Sequence, residues 1–357
     1  MYKVVSLFSG GGGLDLGFIR QGYQIIWAID NNVNAVETYK RNIGEHIICA
    51  DINNIDVNSI PAADIVIGGP PCQSFSLAGN RNVEDKRGNL VWKYIEIINR
   101  IKPRAFVFEN VTGLKSAKNK NGDLVLNELL KAFEQIGYKI NWKVLNAADY
   151  GVPQKRNRLI IVGMKGDNIF TFPTPTHTDK KHVTVEDALG DLPSAAKDQK
   201  ELILYNSHPI TQYQKYVRAK KSGYVSEHVI PQMSELDKTI ISHVKPGGNY
   251  RDIPDHVPST RIQRIKKEGG RTTCYGRLSP DKPSYTINTY FNRPNVGCNI
   301  HYKYDRLLTI REALRLQSFP DDFELVSKSK QGKYTIVGNA VPPLLSEAIA
   351  KKLKKDL

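Results

Sequence analysis

The feature that most narrows what this chain can fold into is an alternation that runs through its first 165 residues. Short apolar runs, several of them β-branched, recur at 3–8, 24–29, 47–50, 65–67 and 105–108, and segments of helical character such as 90–101 and 124–136 lie between most of them. That pattern specifies a doubly wound α/β sheet. From about residue 171 the texture changes: Pro, Ser, Asn, Tyr and Lys are frequent and long periodic runs are few, which reads as a second, smaller domain over 171–310. Helical patterning returns at 311–317 and 344–353, so residues 311–357 are expected to complete the first domain, itself residues 1–170. No internal repeat or low-complexity tract is evident.

With 357 residues and 40% hydrophobic content, the chain can bury a substantial core. Its opening, MYKVVSLFSG, has no basic segment followed by a long apolar one, and no window reaches the apolar length that spans a bilayer. A soluble, cytoplasmic protein without a membrane partner is expected. Cys49, Cys72, Cys274 and Cys298 lie far apart with no C-x-x-C pair, so neither a disulfide framework nor a metal site is suggested. A net charge of +15 and a pI near 9.5 favour a polyanionic partner. The charge concentrates at 259–277, where Arg261, Arg264, Lys266, Lys267, Arg271 and Arg277 face one acid, Glu268. Phosphate contacts fit such a run; a solvated helix face followed by a loop is the alternative that charge alone leaves open.

Two turns carry chemistry. After the first apolar run, Phe8-Ser9-Gly10-Gly11-Gly12-Gly13-Leu14 forms a glycine-rich turn leading into a helix, where backbone can approach a nucleotide-like ligand closely. Such a turn fits NAD and S-adenosylmethionine alike. Asp30, at the end of the second run, is placed to accept hydrogen bonds from ribose hydroxyls, and Asp51-Ile52 ends the third at the same sheet edge. Two carboxylates without a phosphate-reading Arg or Lys in the turn favour S-adenosylmethionine. The second turn, GGPPCQSFSLA at 68–78, sets Cys72 behind two prolines after 65–67. Its polar and turn-forming neighbours give the thiol no apolar wall, which makes it a candidate nucleophile rather than a small buried hydrophobe.

Six ordered blocks span nearly the whole chain apart from the variable lobe: FSGGGGLDLG at 8–17, GGPPCQSFS at 68–76, ENV at 109–111, QKRNRLIIVG at 154–163, REALRLQSFPD at 311–321 and GNAVPP at 338–343. In this set the chain resembles the DNA cytosine-5 methyltransferases of bacterial restriction-modification systems. The departures are mild: Ser9 and an extra glycine in the first block, and Ala340 where serine is frequent. The resemblance implies a Rossmann-like catalytic sheet, a target-recognition domain over 171–310 and methyl transfer from S-adenosylmethionine to carbon 5 of a cytosine flipped out of duplex DNA. Cys72 matches the nucleophile that adds to carbon 6, Glu109 the carboxyl that holds ring nitrogen 3 and the exocyclic amine, and Arg156 and Arg158 the pair supporting the flipped base and its acidic partner. Alternation along a strand would put both arginines on one face, with Arg158 on the base carbonyl.

The resemblance further implies a cofactor site of Phe8, Ser9, Gly10, Gly12, Gly13, Leu14, Asp30, Asn31, Asp51, Ile52, Pro71, Leu90, Asn339 and Ala340. DNA contacts are expected from Gln73, Ser76 and Arg81 after the nucleophile, and from Arg261, Lys266, Lys267, Arg271, Arg277, Thr286 and Arg293 in the recognition lobe. A monomer is expected, with a cognate restriction endonuclease as functional rather than physical partner. The readings weighed against this one are an RNA cytosine-5 methyltransferase of the same fold, a nicotinamide-dependent dehydrogenase and a DNA-binding protein without catalysis.

Overall fold

The structure is a computed structural model that describes residues 1–71, 89–119, 121–198, 201–218 and 223–357. Cys72, Gln73, Ser76 and Arg81 lie outside the described residues. The chain forms two compact units: Met1–Asn146, Asn157–Pro175 and Pro343–Leu357 make the first, and Ala147–Arg156 with Thr176–Pro342 the second.

The first unit is built on strands β1 (Lys3–Leu7), β2 (Gln24–Asp30), β3 (Ile47–Cys49), β4 (Ile65–Gly68), β5 (Ala105–Val111), β6 (Tyr138–Asn146) and β7 (Asn157–Lys165). They form one sheet in the order β3-β2-β1-β4-β5-β7-β6. β1 to β5 pair in parallel, and Val4, Val5, Leu7, Ile65, Val66 and Ile67 are fully buried, as strands covered on both faces require. The doubly wound sheet expected from the sequence is present, with one difference. β7 runs antiparallel to both β5 and β6 and sits between them, leaving β6 at the edge of the sheet. The strand order reverses at β1/β4, so the turns after these two strands share the switch point where open α/β sheets bind ligands.

Helices α1 (Gly13–Arg20), α2 (Val33–Asn42), α3 (Asn89–Ile101) and α4 (Val125–Gln135) are the crossovers. Tyr94, Phe106, Phe108, Phe133 and Tyr138 interlock on one side of the sheet, with the Phe106 and Phe133 rings 4.3 Å apart. Gly163 is required there, since a Cβ on it would stand 2.1 Å from the Phe106 ring.

The second unit carries α5 (Val185–Leu189), α6 (Gln212–Val217), α7 (Glu235–Ser242), α8 (Thr260–Glu268), α9 (Ile310–Leu316) and α10 (Lys330–Asn339). The return to the first unit comes later than the expected 311: only α11 (Pro343–Asp356) packs there, lying on α1 so closely that a Cβ on Gly17 would meet the Glu347 amide at 2.4 Å. Residues 311–342 stay in the second unit because their charges are consumed in it. Arg315, fully enclosed, reaches Asp191, Asp321 at 2.7 Å and the Ala188 carbonyl at 2.8 Å. Glu312 takes a forked pair from Arg306 at 2.7 and 2.8 Å. Burial alone would raise the Glu312 carboxyl, but His301 and Arg306 beside it hold it well below the usual range. Such a network is stable only while every member is paired, which binds this block to the unit that holds its partners.

Candidate active site

Strand β4 ends at Gly68 and is followed by Gly69 and Pro70, and neighbouring β5 carries Glu109 and Asn110. Two features lock these segments together. A Cβ on Gly69 would lie 2.5 Å from Glu109 Oε2, so only glycine lets the carboxyl rest against that backbone. The Asn110 side-chain amide donates to the Pro70 carbonyl at 2.9 Å, while its own oxygen accepts from the Val111 amide at 2.9 Å. Asn110, the middle residue of the ENV block, is buried at a strand end beside a charged site, where its amide must find partners. Pro71, exposed, is the last described residue before Cys72.

Arg158 lies on β7, opposite Val111 in the register, and its Nε donates to Glu109 Oε1 at 2.8 Å with both side chains nearly enclosed. The expectation that Arg156 shares this face is corrected. Arg156 precedes the strand and belongs to the second unit, where its guanidinium donates to the Ile287 and Gly338 carbonyls at 2.8 Å each. Gln154 behaves likewise, accepting from the Ile287 amide at 3.0 Å and donating to the Leu316 carbonyl at 3.2 Å. The first half of the QKRNR block is therefore structural in one unit and its second half faces Glu109 in the other. Thr286 is exposed and its hydroxyl donates to the Lys155 carbonyl at 2.8 Å.

The glycine turn follows β1. Phe8 (φ 55°), Gly10 (φ 55°) and Gly12 (φ 89°) adopt left-handed backbone, and none of the described residues comes within 4 Å of where a Gly10 Cβ would stand. Gly12, by contrast, is packed: its Cβ would stand 2.2 Å from Ile43 Cδ1. Ser9 is buried and its hydroxyl donates to Ser6, so it braces the turn from below. Gly13 and Leu14 open α1 and are buried. Asp30 holds the turn directly: Oδ2 accepts from the Gly10 amide at 2.8 Å and Oδ1 from the Asn32 amide at 2.9 Å. Burial raises its carboxyl above the usual range while these amides pull the other way. Each oxygen keeps a lone pair for a hydroxyl.

Asn31 is exposed beside Asp30, and Asp51 caps a single 3-10 turn by accepting from the Asn53 amide at 2.9 Å. Ile52 sits in the hydrophobic core, so its side chain is spent on packing. Leu90, in the first turn of α3, is half-buried against the same core. Asn339 ends α10 and Ala340 follows it, both in the second unit. One buried group went unassigned from sequence. Asp15, in the first turn of α1, accepts the Tyr39 hydroxyl at 3.0 Å, and burial lifts its carboxyl to about 6. It is the one acid of the FSGGGGLDLG block, which is the sequence feature that sets it apart.

The recognition-lobe cations separate by their partners. Arg277 is buried, paired with Asp305 at 2.5 Å and bonded to the Ile241 carbonyl at 2.8 Å, which corrects its assignment to DNA. Lys266 is engaged by Asp255 at 2.6 Å. Arg261 reaches the Tyr275 hydroxyl at 3.2 Å, and Lys267, Arg271 and Arg293 are exposed.

The profile of the C-5 cytosine-specific DNA methylases matches residues 2–355. The chain belongs to this family. It is similar to the type II methyltransferases M1.HphI of Haemophilus parahaemolyticus (34% identity, covering 98% of this chain and 86% of that protein) and M.MthTI of Methanothermobacter thermautotrophicus (35%, 99% and 97%). Among solved structures it is similar to a protein described as a DNA modification methyltransferase encoded within an E. coli prophage, with TM-score 0.77 at 25% identity over 100% of this chain and 99% of that one. Its likeness to Dnmt2 of S. pombe, TM-score 0.61 at 19% identity over 99% of each chain, concerns the fold alone. This cytosine methylase is therefore an enzyme acting on DNA, which sets aside the RNA, dehydrogenase and non-catalytic readings. No helix among its described residues is long and apolar enough to cross a membrane.

Proposed function

We propose that this methylase transfers a methyl group from S-adenosylmethionine to carbon 5 of a cytosine turned out of duplex DNA, with Cys72 as nucleophile and Glu109 and Arg158 as the groups that bind the base. The observation that carries this reading is the lock between the Pro70 turn and β5. Cys72 follows Pro70 by two residues, a reach of at most ~7 Å, and the Pro70 carbonyl is hydrogen-bonded to the residue after Glu109.

Carbon 5 of cytosine is a poor nucleophile. Addition of the Cys72 thiolate to carbon 6 forms an S–C bond and moves the ring electrons toward carbon 5, making an enamine carbon able to take a methyl. Arg158 fixes the plane of the Glu109 carboxyl through Oε1, and that carboxyl would accept from the exocyclic amine and share a proton with ring nitrogen 3 as negative charge builds there. Loss of the carbon 5 proton to water then re-forms the ring double bond as the C–S bond breaks and the thiolate returns.

The turn fits the cofactor. The room at Gly10 among the described residues, the left-handed Phe8 and the Asp30 carboxylate suit an adenosine ligand without a pyrophosphate, and the turn 8–14 carries no cation to hold one. When bound, S-adenosylmethionine supplies the electrophilic methyl. Relatives named as type II methyltransferases support a role in protecting host DNA beside a cognate endonuclease.

A duplex carrying 5-fluorocytosine at the target tests the reading, because fluorine cannot leave as a proton does. With S-adenosylmethionine the wild type should form a denaturant-resistant protein–DNA adduct and Cys72→Ser should form none. Residual turnover by Cys72→Ser would refute the nucleophile assignment.

A further inference from the structure

Most cations around the core of Ile240, Tyr250, Ile262, Tyr275 and Ile300 already have work in the fold. Arg277 and Lys266 are paired, and Arg264 meets Glu268 at 3.3 Å. Arg271 and Arg293 are different: each is exposed, and neither has an acidic partner among the described residues. Both sit on braced turns. Arg271 follows Gly269 (φ 77°) and Gly270, whose peptide is clamped by the Tyr250 hydroxyl accepting from its amide and donating to its carbonyl, 3.2 Å each. The Arg271 carbonyl then closes a tight turn by accepting from the Cys274 amide at 2.9 Å.

Arg293 closes a second turn, donating its amide to the Tyr290 carbonyl at 3.0 Å, and its own carbonyl accepts from the Asn299 side chain at 3.1 Å. Between them, Phe291 is buried against the Tyr334 ring at 4.7 Å. The two turns are neighbours: the Tyr275 amide, just past the first, donates to the Pro294 carbonyl, just past Arg293, at 2.8 Å. The Arg293 guanidinium lies over the Tyr290 ring, 4.9 Å from its centroid. A cation over a ring face is held there by the ring's charge distribution, which narrows the positions the guanidinium takes.

We propose that Arg271 and Arg293 are specificity-determining residues that each read a guanine in the major groove, so that the recognised site contains guanine besides the one paired with the methylated cytosine. The inference rests on the assignment of the chain as a DNA methylase. An arginine offers only donors, in a planar fork, and guanine alone presents two acceptors, O6 and N7, on its major-groove edge. A phosphate contact needs charge but little positioning, whereas reading a base edge needs an arginine held in place, as Arg293 is by its anchored turn and the Tyr290 ring.

The test uses the full-length protein. Bisulfite sequencing of DNA from cells expressing wild type, Arg271→Ala, Arg293→Ala, Arg293→Lys and a Lys267→Ala control gives the methylated motif of each. Competition binding compares the cognate duplex with duplexes altered one base pair at a time. Arg293→Ala and Arg293→Lys should both lose roughly ten- to a hundredfold of discrimination at one guanine and keep it elsewhere. Arg271→Ala should do so at a different guanine, and Lys267→Ala should change no position of the motif. A wild-type motif lacking further guanine would overturn the inference, and so would equal weakening on all duplexes or full rescue by lysine. Absence of any methylated cytosine with the wild type would instead count against the methylase reading itself.

Discussion

Asp30→Ala tests whether the Asp30 carboxylate braces the glycine turn. From sequence its carboxylate serves ribose hydroxyls; in the fold it also holds the Gly10 and Asn32 amides at 2.8 and 2.9 Å. A hydrogen bond to a charged group contributes about 1.5–3 kcal/mol net. Replacing Asp30 with Ala removes two of them, while relieving the burial that raises the carboxyl. The balance is a loss of roughly 1–3 kcal/mol of stability in the apo first unit. Urea unfolding of apo wild type and variant should show a lower midpoint at unchanged slope, and hydrogen exchange should quicken at the Gly10 and Asn32 amides. Calorimetry should then show weaker S-adenosylmethionine binding, through the loosened turn as well as the missing ribose contact. An unchanged midpoint together with unchanged exchange at those amides would refute the bracing argument and return Asp30 to a ligand contact alone.

Asp15→Asn tests the buried acid. Since burial lifts the Asp15 carboxyl to about 6, its protonated form is favoured in the folded state, and stability is lost as pH rises from about 4 through 6. The asparagine variant should lack that fall and exceed wild type by up to ~3 kcal/mol above pH 7, checked by denaturation across pH. Gly69→Ala places a Cβ 2.5 Å from Glu109 Oε2; displacing the carboxyl should cut methylation about a hundredfold with cofactor affinity retained, compared by single-turnover rates and calorimetry. Arg156→Ala strands the Ile287 and Gly338 carbonyls and should lower the stability of the second unit by about 2–4 kcal/mol. Arg158→Ala takes the guanidinium from a nearly enclosed Glu109, so it should lower the stability of the first unit by up to about 3–5 kcal/mol and also depress methylation at temperatures where the variant stays folded, so melting curves and rates together separate the two arginines.

What the sequence determined by itself is local and periodic. The runs that become β1 to β5, the glycine turn after the first of them and the blocks carrying Cys72, Glu109 and Arg158 were legible, because buried parallel strands demand continuous apolar residues and reactive turns demand particular residue types. What only the tertiary structure decided concerns partners far apart in the chain. Arg156 and Arg158 are two residues apart and chemically identical, yet one meets carbonyls 131 and 182 residues away and the other an acid on β5. The same reason moves residues 311–342 into the second unit, where Asp191 and Arg306 wait for Arg315 and Glu312, and takes Arg277 from the DNA contacts into the interior. A charged side chain states that it must be paired once buried. Which partner it finds is fixed by how the chain brings distant segments together, and no local pattern records that.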